Sequence, residues 1–559
     1  MAPCETQGSV RRPSLDVLCS LKGAFIHSQA NRLSLGILTL KRLLRFILIA
    51  RIFICCLAIT LDLLFACPLR PAMIKRAFLY PTVFLLLLVI QTFAGGRMSP
   101  ASYTTGPTPF ISFVHQRFDP VVPVSSAEFT IRPKSGSETR PAHASFSSSY
   151  LEARGYLDNT TGKLTVPVFG LYAGRRNSVT VTTHFSDGTS QTGRLHIQTA
   201  VYDGGTYSNP VVIQPRLAGS TLSYDFILLK NYADPTTPIV IDTDAEVRWI
   251  NPADLSSQNS MLFDNAFYVA AGTSLYRTEF DGVTMMVADY SSIGVTDFHH
   301  NIDPGREGMI LDVDTTGWTE CVNLEVDKDG NLLRTWNFAQ IIGDAMTAGG
   351  DDRNAFIAKA PNDWFHNNAT AYRASDNTLI ASSRENFVIA VDYDTHQIKW
   401  ILGDTTKHWY EFPSLQQYAL SLTGTSLPPI GQHAVSVPND QLLLFDDGAN
   451  SLYQQPPGDN RDYSAVRKYD IDVGAMTATE VFTFQHDPDI YSPYCSSAYE
   501  DAPDNYVIDY TLGGPYIYTG LVGLDAAGNV AFEYHYDELD FCGTAWNAIQ
   551  IHWEDVQLN

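Results

Sequence analysis

The sequence predicts an all-β protein, built as a six-bladed β-propeller preceded by a small β-sandwich. From about residue 100 onward, Tyr, Phe, Val, Ile and Thr alternate with polar residues, and turn sequences such as Asp-Gly and Gly-Asn recur about every ten residues. Amphipathic helix patterns are scarce. A strand–turn–strand phrase that ends in an aromatic residue returns along the second half of the chain, which is typical of blades arranged around an axis.

The first 98 residues differ from the rest in charge and hydropathy. They contain 12 Lys and Arg against 3 Asp and Glu, whereas the whole chain has a formal net charge of -23. Apolar stretches lie at 46–66 and 77–94, and the second follows a short basic segment and precedes small residues. This pattern predicts an export signal that begins at Met73, with residues 1–72 upstream of the true start. A pair of membrane anchors is the alternative, since about 20 apolar residues span a bilayer.

Residues 99–215 are predicted to form the small β-domain, because short alternating strands are expected within 164–172, 178–182 and 191–197. Residues 216–559 are predicted to form the propeller. Its phrase recurs six times, at intervals of about 40 to 90 residues. The copies are 241–249, 324–336 and 389–400, with weaker ones at 275–287, 469–484 and 523–534. The tryptophans that end the three clearer copies, Trp249, Trp336 and Trp400, are expected in the blade core.

The acidic remainder of the chain argues against nucleic acid as a partner, because its charge would repel phosphates. Three cysteines follow residue 98: Cys321, Cys495 and Cys542. They are too few for a disulfide scaffold, although one pair could form after export. We expect Cys495 to pair with Cys542.

Three histidines are spaced by 67 residues, at His299, His366 and His433. The first two lie in similar phrases, Phe-His-His-Asn and Phe-His-Asn-Asn. Because a repeat returns equivalent residues to equivalent places, we expect these side chains to converge near the propeller axis. Residues two apart in a strand share a face, so Asn368 should point with His366. Arg384 falls in the next predicted strand.

Such a pocket suits an oxyanion. Arg384 offers a planar fork of donors that matches sulfate or phosphate oxygens, and a neutral imidazole is a competent nucleophile near pH 7. Zinc held by the three histidines is the alternative, a known ligand set, but the arginine would repel a cation. The segment Asp446-Asp447-Gly448 has ordinary turn chemistry and is interpreted as a turn.

Several segments resemble the bacterial-type arylsulfotransferases, which move sulfuryl groups from a phenolic sulfate ester to a phenol without a nucleotide sulfate donor. The resemblance covers about residues 118–555 and is carried by Asp363-Trp364-Phe365-His366-Asn367-Asn368, Ser382-Ser383-Arg384, Lys399-Trp400-Ile401-Leu402-Gly403 and Gly431-Gln432-His433. It implies a propeller behind a small β-domain, an exported homodimer and a transient sulfohistidine.

The resemblance also implies roles for single residues. His433 corresponds to the nucleophile, whereas His366, Asn368 and Arg384 correspond to groups that bind and polarise the sulfuryl oxygens. These four residues, with His299, are the predicted catalytic set.

The remaining family histidine falls in the segment Phe298-His299-His300-Asn301. The phase of the internal repeat favours His299. The family often has His-His-Asp at this place, however, with Asn301 standing here for the acid, so that His300 is the alternative. Thr511 corresponds to a residue that contacts sulfate. His300, Asn301 and Thr511 are therefore predicted to bind substrate.

The expected function is that of an aryl-sulfate sulfotransferase with a ping-pong mechanism. Its partners are an aryl sulfate donor and a phenolic acceptor, and no metal ion or cofactor is expected. Export to the periplasm or the medium is expected, with the N-terminal segment as a signal or an anchor. Two alternatives belong to other classes: a propeller that binds an anionic or sulfated ligand without turnover, and an aryl-sulfate hydrolase in which water replaces the phenol.

Overall fold

The computed structural model of the chain describes residues 98–231, 238–253, 255, 259–486 and 490–559. The predicted export signal, its alternative as membrane anchors and the proposed start at Met73 all fall outside these residues. Within the described part, none of the helices has the length and apolar character needed to cross a membrane. The described residues belong to one compact unit.

Short strands with alternating buried and exposed positions open the described chain. The first eight are β1 (Ser102–Thr105), β2 (Ile111–Arg117), β3 (Val124–Ile131), β4 (Ala142–Ser147), β5 (Leu157–Asp158), β6 (Lys163–Phe169), β7 (Arg176–Phe185) and β8 (Ser190–Gln198). In β7, every second residue is buried, which places one face of the strand in the core.

The strands that follow are mostly shorter and more completely buried. They are β9 (Val211–Gln214), β10 (Phe226–Lys230), β11 (Ile239–Asp242), β12 (Val247–Ile250), β13 (Asn259–Phe263), β14 (Ala266–Ala271), β15 (Ser274–Thr278), β16 (Thr284–Asp289), β17 (Val295–Pro304), β18 (Met309–Thr315), β19 (Trp318–Val326), β20 (Leu332–Asn337), β21 (Asn367–Arg373), β22 (Thr378–Ser383), β23 (Val388–Asp392), β24 (Ile398–Leu402), β25 (Ser421–Leu422), β26 (His433–Ser436), β27 (Leu442–Asp446), β28 (Ala465–Asp472), β29 (Thr477–Phe484), β30 (Ser497–Glu500), β31 (Tyr506–Leu512), β32 (Tyr518–Leu524), β33 (Val530–Asp537), β34 (Asn547–Ile551) and β35 (Val556–Leu558).

Six sheets of the described chain are antiparallel meanders and form the blades, as the sequence predicts. Blade 1 is β12-β11-β10-β34, blade 2 is β13 to β16, blade 3 is β17 to β20, and blade 4 is β21 to β24. Blade 5 is β26 to β29 with β25 added parallel to β29, and blade 6 is β30 to β33 with β9 added at its outer edge. Because β34 pairs with β10, a strand from the end of the chain completes the first blade and closes the ring.

Two further sheets, β1-β2-β6-β5 and β35-β4-β3-β7-β8, form the sandwich. Their inner faces share one hydrophobic core with blades 1 and 2. Trp553 lies at its centre, with its ring centroid 5.4 Å from that of Phe169 and 5.5 Å from that of Phe280. The last strand, β35, runs parallel to β4 and so ties the end of the chain to the sandwich.

The blade interiors carry the tryptophans that the repeat predicts. Trp249, Trp336 and Trp400 are fully buried. The axis is polar instead: the buried Lys230 ammonium donates to Asn301 Oδ1, and Asn301 Nδ2 lies 2.8 Å from Asp303 Oδ1. A buried charge is tolerated when it is paired and hydrogen-bonded. The propeller axis is therefore filled by side chains below the site described next.

Helices are short and lie between strands. They are α1 (Ser148–Ala153), α2 (Phe338–Gly349), α3 (Pro413–Gln416) and α4 (Gly513–Tyr516), with 3-10 turns at Gly205–Ser208, Ser291–Ile293, Arg353–Ala355, His408–Glu411 and Pro438–Asp440. Helix α2 begins after Asn337, whose side chain accepts from Gln340 N at 3.0 Å, and it ends at Gly350 with φ +90°. Its first residue, Phe338, stacks on Phe365 with ring centroids 5.1 Å apart, which fixes the chain just before His366.

Candidate active site

Residues in the blades and in the loops beside them line a cavity of about 1000 Å³ at one end of the propeller axis. Its floor holds three imidazoles: the ring centroid of His300 lies 4.7 Å from that of His366 and 6.1 Å from that of His433, and the last two rings are 6.2 Å apart. One ring nitrogen of each histidine lies within 4.8 Å of those of the other two. The convergence expected from the sequence is therefore observed for His366 and His433.

The innermost strands place these side chains by breaking their regular alternation. Phe298 pairs with Val313 and Ile302 with Leu311, so three residues of β17 oppose one residue of β18. His300 has a φ of +50° within this bulge, and His366 has a φ of +53° at the entrance of β21. Such values are uncommon for a residue with a side chain and recur at functional sites. The bulge turns His300 toward the cavity.

His433 is held by a buried carboxylate. Its Nδ1 lies 2.8 Å from Asp447 Oδ2 and 3.2 Å from the carbonyl oxygen of Gly431. Burial raises the pKa of Asp447, but the Gly431 carbonyl can only accept, so Nδ1 carries the hydrogen. Burial, together with the nearby His300, His366 and Arg384, lowers the pKa of His433 well below its ordinary value. The ring is therefore neutral, with an unprotonated Nε2.

His366 has the opposite electrostatics. Its Nδ1 faces two carboxylates, Asp363 Oδ2 and, at 2.9 Å, Glu320 Oε2. Burial alone would lower the pKa of His366, but Glu320 and Asp363 outweigh it and raise that pKa well above its ordinary value. The site therefore contains a neutral imidazole and an imidazolium side by side, which is the arrangement that acid–base chemistry requires.

His300 is the third ring of the floor. Burial lowers its pKa to about 3, although Glu320 acts in the other direction. Its ring packs edge-on to Trp546, with centroids 5.6 Å apart. A neutral His300 can donate or accept one hydrogen bond without adding charge.

Arg384 supplies a second positive charge. Its side chain is buried, Nη1 donates to Glu385 Oε1 at 2.8 Å, and its guanidinium carbon lies 4.9 Å from the ring centroid of Tyr494. Nε and Nη2 are buried and have no hydrogen-bond partner among the described residues. Buried N–H groups without partners are rare in folded proteins, and Arg384 lines the cavity. A planar oxyanion edge would satisfy both groups.

One wall of the cavity is aromatic. The ring centroid of Phe541 lies 5.5 Å from that of Tyr494 and 6.4 Å from that of Tyr516, so three rings lead from Arg384 toward the mouth. Cys495 and Cys542 line this wall and form the disulfide expected from the sequence, whereas Cys321 is buried and free. We name the rings of Tyr494, Phe541 and Tyr516 the aromatic wall.

Four predicted site residues lie outside the cavity lining. His299 sits behind His300, with Nδ1 to Nδ1 at 3.1 Å and Nε2 3.6 Å from Asp314. Asn301 points into the axis toward Lys230. Asn368 Nδ2 donates to the carbonyl of Gln432 at 2.8 Å, directly before His433, and Thr511 Oγ1 accepts from Ser496 N at 2.9 Å. Of the two histidines that the sequence left open, His300 is the one at the cavity.

Three carboxylates were not predicted. Asp447 is more than a turn residue, because it is fully buried and bonds to the ring of His433; this corrects the interpretation of its segment. Asp363 is hydrogen-bonded to His366 Nδ1, and Glu320 forms an ion pair with the same nitrogen. The signal for Asp363 was present in its phrase, three residues before His366, whereas Glu320 and Asp447 reach the histidines only through the tertiary fold.

The histidine triad also has the spacing of a metal ligand set. The charges favour an anion instead, because Arg384 and the imidazolium of His366 both face the same space and would oppose a cation. Carboxylates that could offset a cation are engaged behind the rings, on Nδ1 of His366 and of His433.

Two family profiles match most of the described chain. The profile described as Arylsulfotransferase (ASST) matches residues 212–534, and the profile described as Arylsulfotransferase Ig-like domain matches residues 123–200. The arylsulfate sulfotransferase AssT of Escherichia coli O6:H1 is 26% identical over 272 residues, which cover 44% of this chain and 43% of that protein. The protein of the same name from Lelliottia amnigena is 25% identical over 224 residues, which cover 36% and 35%.

The chain thus spans less than half the length of these curated relatives. Among solved structures, the β-propeller domain of Cps50 (Swd1) from Myceliophteria thermophila has 11% identity and a TM-score of 0.27, covering 59% of this chain and 99% of that chain. The first profile matches more than half of the chain. The chain belongs to the arylsulfotransferase family.

Proposed function

We propose that this protein transfers a sulfuryl group from an aryl sulfate to a phenol through a sulfohistidine on His433. The observation that carries the proposal is the pairing of Asp447 with His433 Nδ1, which leaves Nε2 unprotonated beside two cationic groups. A nucleophile oriented by a third group is the common architecture of covalent catalysis.

In the first half-reaction, Nε2 of His433 attacks the sulfur of the donor. A nitrogen–sulfur bond forms as the bond between sulfur and the aryl oxygen breaks, and His366 gives its Nε2 proton to the departing phenolate. The unpaired N–H groups of Arg384 hold the sulfuryl oxygens. Loss of one such donor typically raises the barrier by about 2.7 to 4 kcal/mol.

In the second half-reaction, an acceptor phenol enters after the first product leaves. Its hydroxyl gives its proton to His366, which is now neutral, and its oxygen attacks sulfur as the bond to His433 breaks. The cycle balances without a metal ion or nucleotide. Burial of His433 and His300 supports it, because a site that excludes bulk water limits hydrolysis of the intermediate.

We further infer that the enzyme acts outside the cytosol. The bond between Cys495 and Cys542 supports this, since disulfides persist in oxidising compartments, and so does the basic, apolar character of residues 1–98. The homodimer implied by the family resemblance is tested by the mass of the purified protein in solution.

The test is incubation with p-nitrophenyl sulfate, with and without phenol. We expect p-nitrophenol and phenyl sulfate in equal amounts when phenol is present, and loss of both in His433→Ala. His396→Ala, a histidine outside the cavity lining, is the matched control. Release that is unaffected by His433→Ala would reject the proposal. Release of much more than one equivalent per enzyme without phenol would identify a hydrolase, and saturable binding without release would identify a binding protein.

A further inference from the structure

Glu320 contacts the imidazoles of the cavity floor from behind, although its strand is not an innermost one. It lies in β19, the third strand of blade 3, whereas the three imidazoles come from the innermost strands. Val313 pairs with Val322 and Thr315 with Trp318, so three residues of β19 oppose Asp314 alone. Glu320 has a φ of +46° in this bulge. Bulges beside active sites commonly re-aim a side chain.

A hydrogen bond holds the bulge in place, and the carboxylate of Glu320 contacts three histidine rings. Glu320 N donates to Asp314 Oδ1 at 2.8 Å. Its Oε2 lies 2.9 Å from His366 Nδ1, 3.5 Å from His300 Nδ1 and 3.9 Å from His299 Nδ1. The nearest of the three rings is the one that faces the cavity as a cation. The backbone of Glu320 is strained, and its carboxylate makes its shortest contact with the ring of His366. This combination points to a role in the reaction.

Other charged groups surround His366, and one of them shares its Nδ1 with Glu320. Asp363 contacts the same Nδ1 from the segment just before β21. The remaining titratable neighbours are His300 from β17, Arg384 and Glu385 from the end of β22, His433 from β26 and Asp447 after β27. Of the carboxylates among them, Glu385 is engaged by Arg384 and Ser451, and Asp447 by His433.

We propose that Glu320 is a positioning residue that makes His366 the acid for the leaving phenolate, adding its charge to the hydrogen bond that Asp363 makes with Nδ1 so that Nε2–H faces the departing oxygen. The proposal rests on the sulfuryl transfer proposed above. Glu320 touches neither substrate nor sulfur and takes no proton. Its negative charge stabilises the imidazolium before the aryl oxygen needs a proton, and it stabilises the reprotonated ring in the second half-reaction.

The test is Glu320→Gln, which keeps the shape and removes the charge. Two donors are compared, phenyl sulfate and p-nitrophenyl sulfate, through kcat/KM for the donor. Phenolate is strongly basic and needs the proton, whereas p-nitrophenolate leaves without it. We expect kcat/KM to fall about 100-fold or more for phenyl sulfate and about threefold or less for p-nitrophenyl sulfate. The alkaline limb of the pH profile should also move to lower pH, because the imidazolium has lost a counter-charge.

Glu411→Gln is the control, since Glu411 pairs with Nδ1 of a different histidine, His408, at 2.9 Å and outside the cavity lining. It should leave the ratio of the two donors unchanged. If Glu320→Gln fails to fold, Glu320→Asp is used, because its shorter side chain moves the charge away from His366. We expect it to lower kcat/KM for phenyl sulfate more than for p-nitrophenyl sulfate, by a smaller factor than Glu320→Gln. Equal losses for both donors with an unmoved alkaline limb would overturn the role of Glu320. Failure of the transfer itself would appear separately, as wild-type enzyme that releases no p-nitrophenol.

Discussion

At the scale of single residues, the group behind each ring decides what the ring can do. His366 and His433 are the same residue type, and their centroids are 6.2 Å apart. Two carboxylates behind His366 raise its pKa, whereas burial with one carboxylate and one carbonyl behind His433 leaves that ring neutral. Environments that push two pKa values apart assign acid and nucleophile.

These opposite shifts predict the pH dependence of kcat/KM. In the proposed mechanism, activity requires neutral His433, so it is present above the lowered pKa of that ring. It also requires protonated His366, so it is lost as pH rises through the raised pKa of the second ring. We expect a plateau that extends well to both sides of pH 6.5, the ordinary value for histidine. Steady-state rates over a pH series check this, and a limb centred on that ordinary value would contradict it.

The hydrogen bond between Asp447 and His433 predicts a second result. Asp447→Asn keeps the shape but can present an amide N–H to Nδ1, which favours the tautomer with the hydrogen on Nε2. We expect kcat to fall by about four orders of magnitude, as in other sites where an acid orients a catalytic histidine. Rapid-mixing measurement of p-nitrophenol release checks it. Asp446→Asn, which alters ion pairs with Arg461 and Arg467 instead, should not change the tautomer.

Sequence reasoning found His366, His433 and Arg384 because they lie within recognisable phrases. It could not find Glu320, because nothing in its own strand marks a carboxylate that contacts a distant histidine, and the contact depends on the bulge opposite Asp314. Asp447 was hidden for another reason: a buried acid followed by glycine has the same local sequence as a surface turn. Only the burial of Asp447 separates the two.

At the scale of elements, the strands follow the predicted pattern, and the β-bulges in the innermost strands place the side chains of the site. Alternation correctly places β6, β7 and β8 in the regions expected from the sequence. The phase of the repeat favoured His299 instead of His300, and it fails there because three residues of β17 oppose one of β18. A period of two holds only while each residue has one partner across the sheet.

The aromatic wall predicts how ring number affects binding. Phe541 is 54% exposed at the mouth, between Tyr494 and Tyr516, where a second ring of a donor would stack. We expect Phe541→Ala to raise KM about threefold to tenfold for a two-ring aryl sulfate and to leave p-nitrophenyl sulfate nearly unchanged. Leu539→Ala, exposed to a similar extent at 49% but outside the cavity lining, is the control. Equal effects of Phe541→Ala on both donors would contradict a stacking role.

At the scale of the whole molecule, the sandwich and the first two blades are joined by a common core. Trp553 is fully buried between them and packs against Phe169, Phe226, Phe267 and Phe280. The sequence predicted the sandwich and the propeller but not this junction, because Trp553 lies outside every copy of the repeat. The boundaries at residues 98 and 215 stay predictions.

Trp553→Ala is expected to lower the free energy of unfolding by about 3 to 5 kcal/mol, since it empties a large site in a core that cannot collapse. Unfolding by urea, followed by far-ultraviolet circular dichroism, checks this. Gln557→Ala, an exposed change four residues later, should shift the midpoint little. A small effect of Trp553→Ala would show that the sandwich and propeller are stabilised independently.

Blade 1 takes β34 from residues 547–551, and the sandwich takes β35 from residues 556–558. Three strands of that blade, and eight of the sandwich, are made hundreds of residues earlier. During translation, blade 1 and the sandwich sheet that contains β4 therefore each keep an unpaired edge strand until nearly the whole described chain has been synthesised. An unpaired edge invites association with other chains, so the delay creates a need for chaperone protection while the polypeptide is still growing.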